Sequence, residues 1–365
     1  MNFSSFFLFI FIHFFCIHLV FGKNKSSLSP WALSNIETDR ALGLLEDHGL
    51  ASSTAAANPI TVAIVDTGID PTHPDLANNL WTNPNEIPDN GIDDDGNGFV
   101  DDIHGWNFAQ NNNLLTDHHG HGTHIAGIIA GQNTAGQNVA GPKLMILKYY
   151  DAQASAQTNL ENMIKAFRYA LKMKAQVINF SGGGPGFNAE EAQVLKEAEE
   201  KNVLVVAAAG NDGANSDLQK YYPADYGFSN IISVTAIDCK NQTPPYANYG
   251  IHTVDIAAPG DKILSTLPNG RTGEMSGTSQ ATAFVTSVAA LLIMQNRALS
   301  PQELIQKIKS TGNFAANLIG KNKSGARLNA YRALAMRDSL SSSHGFRIEN
   351  LEKMNQDLFT IRPSR

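Results

Sequence analysis

The sequence predicts an α/β protein of three layers, in which helices cover both faces of a mostly parallel β-sheet. Short apolar runs rich in β-branched residues alternate along the chain with longer segments of helical periodicity. Strands alternating with helices are typical of parallel βαβ units, whose strands are buried on both faces. No internal repeat interrupts the alternation.

The predicted elements follow one another from residue 60. The run ITVAIVD, between Pro59 and Thr67-Gly68, predicts the first buried strand at 60–66. Further strands are predicted at 144–150, 176–181, 203–209, 231–237 and 254–258. Helices are predicted at 122–131, 159–174 and 189–202, and an apolar helix begins near Ser279. Ser300-Pro301-Gln302-Glu303 is a capping box with proline at the first helical position, which predicts another helix.

Composition and the start of the chain limit the kind of protein. The 365 residues include 27 basic and 34 acidic side chains, and the basic ones are scattered, so we expect no nucleic-acid partner. The apolar run at 6–21 is too short for a comfortable membrane span, and polar KNKSS follows it. We interpret residues 1–22 as a secretory signal peptide, with an uncleaved anchor as the alternative.

The remaining chain divides into three parts. A polar N-terminal segment at 23–58 precedes the main domain at 59–336, and residues 337–365 form a polar tail of mixed charge. Cys16 would be lost with the signal peptide, which leaves Cys239 without a disulfide partner. We expect a secreted monomer, extracellular or periplasmic, with no stable membrane association after signal removal.

Reactive side chains stand at the ends of the predicted elements, where active sites of open parallel sheets lie. Asp66 ends the first strand, and a turn-forming aspartate is the alternative interpretation. His121 begins a helix between two glycines. Metal binding by the group His118, His119, His121 and His124 is the rival there, although H-G-T-H lacks the glutamate of a zinc-binding helix.

Two further candidates follow later strands. Asn211 comes after Gly210 just past a strand, where its amide can donate into a cleft, and an Asn-Asp-Gly turn is the alternative. Ser279 precedes the apolar helix and, taken alone, indicates a helix N-cap. Together, however, Asp66, His121 and Ser279 occur in the chain order of the subtilisin catalytic triad.

Several motifs in order make the chain similar to the subtilisin-like serine peptidases, the subtilases. They are VAIVDTGID at 62–70, HGTHIAG at 121–127 and GTSQATAFV at 277–285, with INFSGGG, AAAGND, YPADY and VDIAAPG between them. GARLNAYRAL at 325–334 resembles the usual end of the domain. The resemblance implies a subtilase catalytic domain at 59–336 and a secreted serine endopeptidase that acts on proteins or peptides. A non-catalytic peptide-binding protein with the same fold is the alternative.

The resemblance also implies a role for each matching residue. Ser279 attacks the scissile carbonyl and forms an acyl-enzyme, His121 carries the proton, and Asp66 orients His121. Asn211 donates to the oxyanion beside the backbone N–H of Ser279. The implied substrate-binding residues are Ser181, Gly182, Gly183, Ala208, Gly210 and Tyr221.

The chain departs from the family pattern near the substrate. Gly182 replaces a large apolar residue, which predicts wider substrate pockets, whereas Tyr221 at the bottom of the main specificity pocket predicts a shorter one. Gln280 replaces the usual methionine, and Ala283-Phe284 replaces Pro-His. The Tyr222-Pro223 bond matches a cis bond of the family, and we expect cis here. Segment 23–58 is too short for the N-terminal prodomain of most secreted members, so we expect none.

The acidic stretch GIDDDGNGFVDDIHGW at 91–106 predicts a structural calcium site without a catalytic role. Asp93, Asp95, Asn97, the Phe99 carbonyl and Asp101 follow the opening spacing of an EF-hand loop, which here lacks its closing glutamate. A solvated acidic turn is the alternative. The resemblance implies a second calcium site through Asp75, but the loop at 131–138 that would complete it does not place asparagine where the family has it.

Overall fold

A nine-stranded sheet organises the computed structural model, which describes residues 28–47, 59–131 and 141–336. The described residues as far as Ala335 belong to one compact unit. Several predicted features lie outside the described residues: the signal peptide at 1–22 with Cys16, parts 23–27 and 48–58 of the N-terminal segment, the loop at 132–138 and the tail at 337–365.

Eleven strands occur in the described part of the chain, nine of them in the main sheet. They are β1 Thr61–Asp66, β2 Gly105–Asn107, β3 Lys143–Lys148, β4 Val177–Phe180, β5 Leu204–Ala208, β6 Ile231–Ile237, β7 Ile256–Pro259, β8 Ile263–Leu267, β9 Arg271–Met275, β10 Asn313–Phe314 and β11 Ala326–Arg327. The main sheet has the order β10-β11-β7-β6-β5-β4-β1-β3-β2, and β8 and β9 form a separate hairpin. Every pairing in the main sheet is parallel except that of β10 with β11.

Eight α-helices accompany the strands in the described residues. They are α1 Pro30–Asn35, α2 Thr38–Asp47, α3 His121–Ala130, α4 Ala156–Lys172, α5 Ala189–Glu200, α6 Thr278–Gln295, α7 Pro301–Ser310 and α8 Ala330–Ala335. Single 3₁₀ turns occur at Ala77–Asn79 and Ala316–Leu318. The ends of α4 and α7 have clear local causes. Ser155 caps α4 by accepting from the Thr158 N–H, and both hydrogen bonds of the predicted capping box open α7.

The sheet has a hydrophobic core on each face, as predicted. Val62 and Ile64 of β1 pack in the core that contains α3 and α6, while Ala63 and Val65 pack in the core that contains α4 and α5. The period of two along a strand sends neighbouring side chains to opposite faces, so both faces need a helical cover. The three-layer α/β prediction is therefore confirmed.

Helix α6 is apolar on all sides because it lies inside the molecule. Among the described residues it is the one helix whose length and apolarity would suit a membrane span, but 89% of that window is buried within the protein. A helix that is hydrophobic all round belongs in a core when other elements surround it. Its first turn faces the carboxyl ends of the strands, where the candidate site lies.

Candidate active site

Asp66 and His121 meet where a strand ends and a helix begins. Asp66 is the last residue of β1, His121 is the first of α3, and His121 Nδ1 lies 2.7 Å from Asp66 Oδ1. Asp66 Oδ1 also accepts from the Thr67 N–H at 2.8 Å. Burial lowers the pKa of His121, but the charge and hydrogen bond of Asp66 raise it more, so the net pKa is above its ordinary value.

Ser279 lies in the first turn of α6 and does not cap the helix. The N-cap residue is Gly277, so the N-cap interpretation of Ser279 is wrong. Ser279 is only 6% exposed, and its hydroxyl donates to the Ser181 carbonyl at 3.0 Å. Among the hydrogen bonds of the described residues, none joins it to His121; catalytic hydrogen bonds often tighten only when substrate is bound.

The side-chain amide of Asn211 has a fixed orientation. Its Oδ1 accepts from the backbone N–H of Thr278 at 2.9 Å and from the Thr278 hydroxyl at 3.0 Å. The Nδ2 group therefore points the other way, and it lies 3.4 Å from where a Cβ on Gly277 would be. The result is an N–H donor beside the start of α6, where the helix dipole also favours negative charge.

Asp117 holds the segment before His121, and the sequence analysis missed it. This buried carboxylate accepts from the N–H groups of His119, Gly120 and Thr123, and from the hydroxyls of Thr67 and Thr123. Burial raises its pKa, but these hydrogen bonds lower it more, and the net pKa is below its ordinary value. An aspartate four residues before a candidate histidine is the signal that could have identified it.

The histidine cluster offers no metal site in the described residues. His124 is buried, its Nε2 lies 2.9 Å from the Ile263 carbonyl, and burial together with the His121 charge lowers its pKa to about 3. His119 Nδ1 accepts from the His121 N–H at 3.3 Å, and His118 is exposed. The one group of potential metal ligands within the described ranges contains no histidine.

Two backbone segments flank Ser279 and Asn211. Ser181, Gly182 and Gly183 follow β4, while Ala208 ends β5 and Gly210 follows it. A Cβ on Gly182 would lie 2.6 Å from the Tyr149 hydroxyl and 3.0 Å from Phe180 Cζ. Tyr149 therefore takes up part of the space that a side chain at position 182 would need, and the wider pocket stays a prediction.

Tyr221 lies between the same two segments. Its ring lies close to the backbone at both Gly183 and Gly210, and the short substrate pocket stays a prediction. The Tyr222-Pro223 bond is cis, which confirms that expectation. Gln280, which replaces the usual methionine after Ser279, is buried at 1% exposure.

The carboxylates that meet near the acidic stretch at 91–106 are not the predicted calcium ligands, with one exception. Oxygens of Glu86, Asp95 and Asp102 lie within 4.8 Å of one another. Of these, only Asp95 is a predicted ligand. Burial and the Asp95 charge raise the pKa of Asp102, and hydrogen bonds from Tyr169, Asn83 and Asn97 oppose them.

The other predicted ligands have different contacts. Asp93 accepts from the N–H groups of Asn97 and Gly98, and Asp101 from those of Asn90 and Gly91. Asn97 does lie beside the acidic group, because its amide donates to Asp95 and Asp102. The Phe99 ring packs edge-on against Trp106 and Tyr169. Asp75 is exposed and lies outside the acidic group.

Comparisons with known proteins show the family of this chain. A protein-family model described as "Subtilase family" matches residues 57–333. Thermitase of Thermoactinomyces vulgaris is 34% identical over 280 residues, which cover 75% of this chain and 88% of thermitase. The cell wall-associated protease of Bacillus subtilis (strain 168) is 37% identical over 260 residues, 70% of this chain but 26% of that protein. The major intracellular serine protease of the same strain is 34% identical, over 64% of this chain and 68% of that protein.

A solved structure supports the fold. The crystal structure of a mutant epidermin leader peptide processing serine protease from Staphylococcus aureus superposes with a TM-score of 0.66. The match covers 88% of this chain and 84% of the other, at 24% sequence identity. The sheet and its helical layers are thus shared with a protein whose sequence is distant.

Proposed function

This chain belongs to the subtilase family of serine-type endopeptidases, and we propose that it hydrolyses peptide bonds through an acyl-enzyme formed on Ser279. The observation that carries the proposal is the buried 2.7 Å contact between Asp66 Oδ1 and His121 Nδ1. An imidazole held by a carboxylate is the base that a serine nucleophile needs.

The reaction proceeds in two halves. Ser279 Oγ bonds to the scissile carbonyl carbon while His121 takes the hydroxyl proton, and the carbonyl oxygen becomes an oxyanion. Asn211 Nδ2 and the Ser279 N–H donate to that oxyanion. The C–N bond then breaks, and His121 gives its proton to the leaving amine. In the second half, a water molecule attacks the ester carbon and gives a proton to His121. The bond to Ser279 Oγ then breaks, His121 returns the proton to Ser279, and the acid product leaves.

Labelling with a fluorophosphonate tests the assignment of Ser279. The reagent should modify the wild type and abolish its peptidase activity, and Ser279→Ala should neither be labelled nor cleave peptides. Ser287→Ala is the matched control, because Ser287 is another buried serine of α6 whose hydroxyl contacts only the Ile129 carbonyl at 3.3 Å. Wild-type protein that is not labelled would favour a peptide-binding protein without catalysis.

We also propose that calcium binds at Glu86, Asp95 and Asp102 in a structural role. The support is that oxygens of the three carboxylates lie within 4.8 Å of one another, so a cation between them would offset their mutual repulsion. Calcium prefers oxygen ligands of this kind. Calorimetric titration of the inactive Ser279→Ala protein with calcium tests the proposal. If no heat of binding is measured, the proposal is wrong and the stretch is a solvated acidic turn.

We propose that residues 1–22 direct export of the protein. The support is the apolar run at 6–21 followed by a polar segment. N-terminal sequencing of the protein recovered from outside producing cells should begin after Gly22. Protein that stays inside the cell with residues 1–22 attached would contradict this proposal.

A further inference from the structure

A second side-chain amide lies beside the start of α6, next to the nucleophile. Gln280 follows Ser279 in the first turn of the helix and is only 1% exposed. No hydrogen bond in the described part of the chain includes its side chain. Nothing therefore fixes which of its two polar atoms, Oε1 or Nε2, faces the site.

Three polar atoms converge on one point beside Gly277. A Cβ on this glycine would lie 3.0 Å from Gln280 Oε1, 3.4 Å from Asn211 Nδ2 and 3.6 Å from the Ser279 backbone nitrogen. The last two atoms are the donors proposed for the oxyanion. The Gln280 amide therefore borders the same small space as both proposed donors.

An oxyanion held by Asn211 and Ser279 lies within reach of Gln280. Two donors that share one oxygen each lie about 3 Å from it. The N–H groups in the first turn of a helix point away from the helix body, towards its N-terminal side, where Gly277 lies. The shared oxygen therefore lies close to the point that is 3.0 Å from Gln280 Oε1.

The amide of Gln280 can present a donor as well as an acceptor. Oε1 and Nε2 are bonded to the same carbon, and a half-turn about the last side-chain bond exchanges them. The half-turn breaks no hydrogen bond of the described residues, because none holds the amide. An oxyanion repels Oε1 and attracts the Nε2 hydrogens, so the charge that develops in the reaction selects the orientation in which Nε2 faces it.

We propose that Gln280 is a third oxyanion donor, whose Nε2 group hydrogen-bonds to the oxyanion beside Asn211 Nδ2 and the Ser279 N–H. The inference rests on the proposed function and adds a catalytic residue to it. No covalent bond to Gln280 forms or breaks, and Nε2 keeps both of its hydrogens while it donates. The hydrogen bond strengthens as the oxygen gains charge, so it stabilises the transition state more than the bound substrate.

Gln280→Met tests the proposal, because methionine has a similar length and no N–H group to donate. We expect kcat to fall by about 10- to 10²-fold with little change in KM, the effect of losing a hydrogen bond to a charged group. Gln295→Met is the matched control. It makes the same substitution at the last residue of α6, where Gln295 Nε2 donates to the Leu334 carbonyl, and its kcat should equal that of the wild type. An unchanged or higher kcat in folded Gln280→Met, or an equal loss in both variants, would overturn the proposal.

A peptide trifluoromethyl ketone separates donation to the oxyanion from packing beside Ser279. Ser279 Oγ bonds to the ketone carbon while His121 takes the hydroxyl proton, and the product is a hemiketal with a negatively charged oxygen. The Ki of the ketone should rise in Gln280→Met by the same factor by which kcat falls. The Ki of a non-covalent product peptide should stay unchanged, because it forms no oxyanion. An unchanged ketone Ki would also overturn the proposal.

If Gln280→Met does not fold, a crystal structure of the wild-type enzyme with the same ketone decides. The side-chain amide of Gln280 should lie about 3 Å from the hemiketal oxygen. A separation of more than about 4 Å would overturn the proposal, because no hydrogen bond spans that distance. Failure of the proposed function is distinguishable, because then the wild type neither cleaves peptides nor forms an adduct at Ser279.

Discussion

At the scale of single residues, the two polar groups of the Asn211 side chain can be tested separately. Its Oδ1 accepts from Thr278, which holds the start of α6, and its Nδ2 is the donor proposed for the oxyanion. Asn211→Leu removes both groups, whereas Asn211→Asp keeps an oxygen for Thr278 and removes the donor. The two variants therefore distinguish a catalytic role from a purely structural one.

We expect both Asn211 variants to lose kcat by roughly 10²–10³-fold with little change in KM, as loss of one oxyanion donor does. Steady-state kinetics on one peptide is the measurement. If Asn211→Asp keeps the wild-type kcat while Asn211→Leu loses it, the residue acts only by holding Thr278, and the donor role is wrong.

The pKa of His121 sets the acid limb of activity. His121 accepts the serine proton only when neutral, and the Asp66 charge and hydrogen bond outweigh burial, so its pKa lies above the ordinary 6.5. We therefore expect kcat/KM for an uncharged peptide to rise with pH through a midpoint above 6.5. Asp66→Asn removes the Asp66 charge and leaves only the smaller effect of the Asp117 charge to raise this pKa, so its residual acid limb should move to lower pH. A wild-type midpoint below 6.5 would contradict the interpretation.

Single-residue motifs were the most predictable part of the site. Asp66, His121, Asn211 and Ser279 lie at the ends of predicted elements, but each had another interpretation on its own, and only their order along the chain and the resemblance to a family selected them. Tyr149, which fills the space beside Gly182, was not predictable, because the two residues meet only across neighbouring parts of the sheet. Glu86 and Asp102 joined the acidic group for the same reason: loop folding, not spacing, brings their oxygens together.

At the scale of elements, helix α5 carries a buried carboxylate with a distinct pH dependence. Glu191 lies in the first turn of α5, is 4% exposed, and faces a small pocket lined by side chains such as Tyr149, Leu160 and Phe180. Burial raises its pKa to about 7, against a partly opposing hydrogen bond from Tyr226. In the unfolded chain the carboxyl group has its ordinary pKa of 4.5.

The stability contribution of Glu191 should therefore fall as pH rises. Between pH 4.5 and about 7 the folded state keeps a proton that the unfolded state has released, so stability falls with pH across that window and is not regained above it. The loss is on the order of 3 kcal/mol at about 1.4 kcal/mol per pKa unit.

Glu191→Gln lacks this titration. The unfolding free energy of the parent should fall by about 3 kcal/mol more than that of the variant when the pH is raised from about 5 to about 8. Urea denaturation in the Ser279→Ala background measures it without autolysis. The same difference between parent and variant at both pH values would mean that Glu191 is ionised in the folded protein.

The elements themselves were predicted unevenly. The buried strands were found to within a few residues, because β-branched apolar runs bounded by turns have few other interpretations. The hairpin of β8 and β9 was missed, although Asn269-Gly270 at its turn is a recognised hairpin signal. Strands β10 and β11 have two residues each and gave no periodicity to detect.

At the scale of the whole molecule, the topology assembles the site from distant parts of the chain. Strands β1, β4 and β5 are adjacent in the sheet. Asp66 is the last residue of β1, Ser181 follows β4, and Asn211 comes shortly after β5. Helices α3 and α6 begin at the same edge. The three-layer fold was predictable because alternation of strands and helices fixes a parallel sheet. The side chains that fill the pockets could not be predicted, because they depend on packing between the layers.

Calcium should stabilise the whole molecule against thermal unfolding. An ion that binds only the folded state adds about 2.7 kcal/mol at a hundredfold excess over Kd. Chelation should therefore lower the Tm of the Ser279→Ala protein, and Asp102→Asn should abolish the difference. Asp93→Asn is the control, because the Asp93 carboxylate accepts backbone N–H groups outside the acidic group. If chelation leaves the Tm unchanged, calcium does not stabilise the folded protein.

The central claim is that Ser279 carries the acyl group during turnover, and mass spectrometry of the quenched enzyme tests it directly. The enzyme is mixed with a slowly deacylated ester, stopped with acid and digested, and the modified peptide is located. We predict a mass increase equal to the acyl group on the peptide that contains Ser279, and none in Ser279→Ala. An acyl group on any other residue, or turnover without any acylated peptide, would contradict the mechanism.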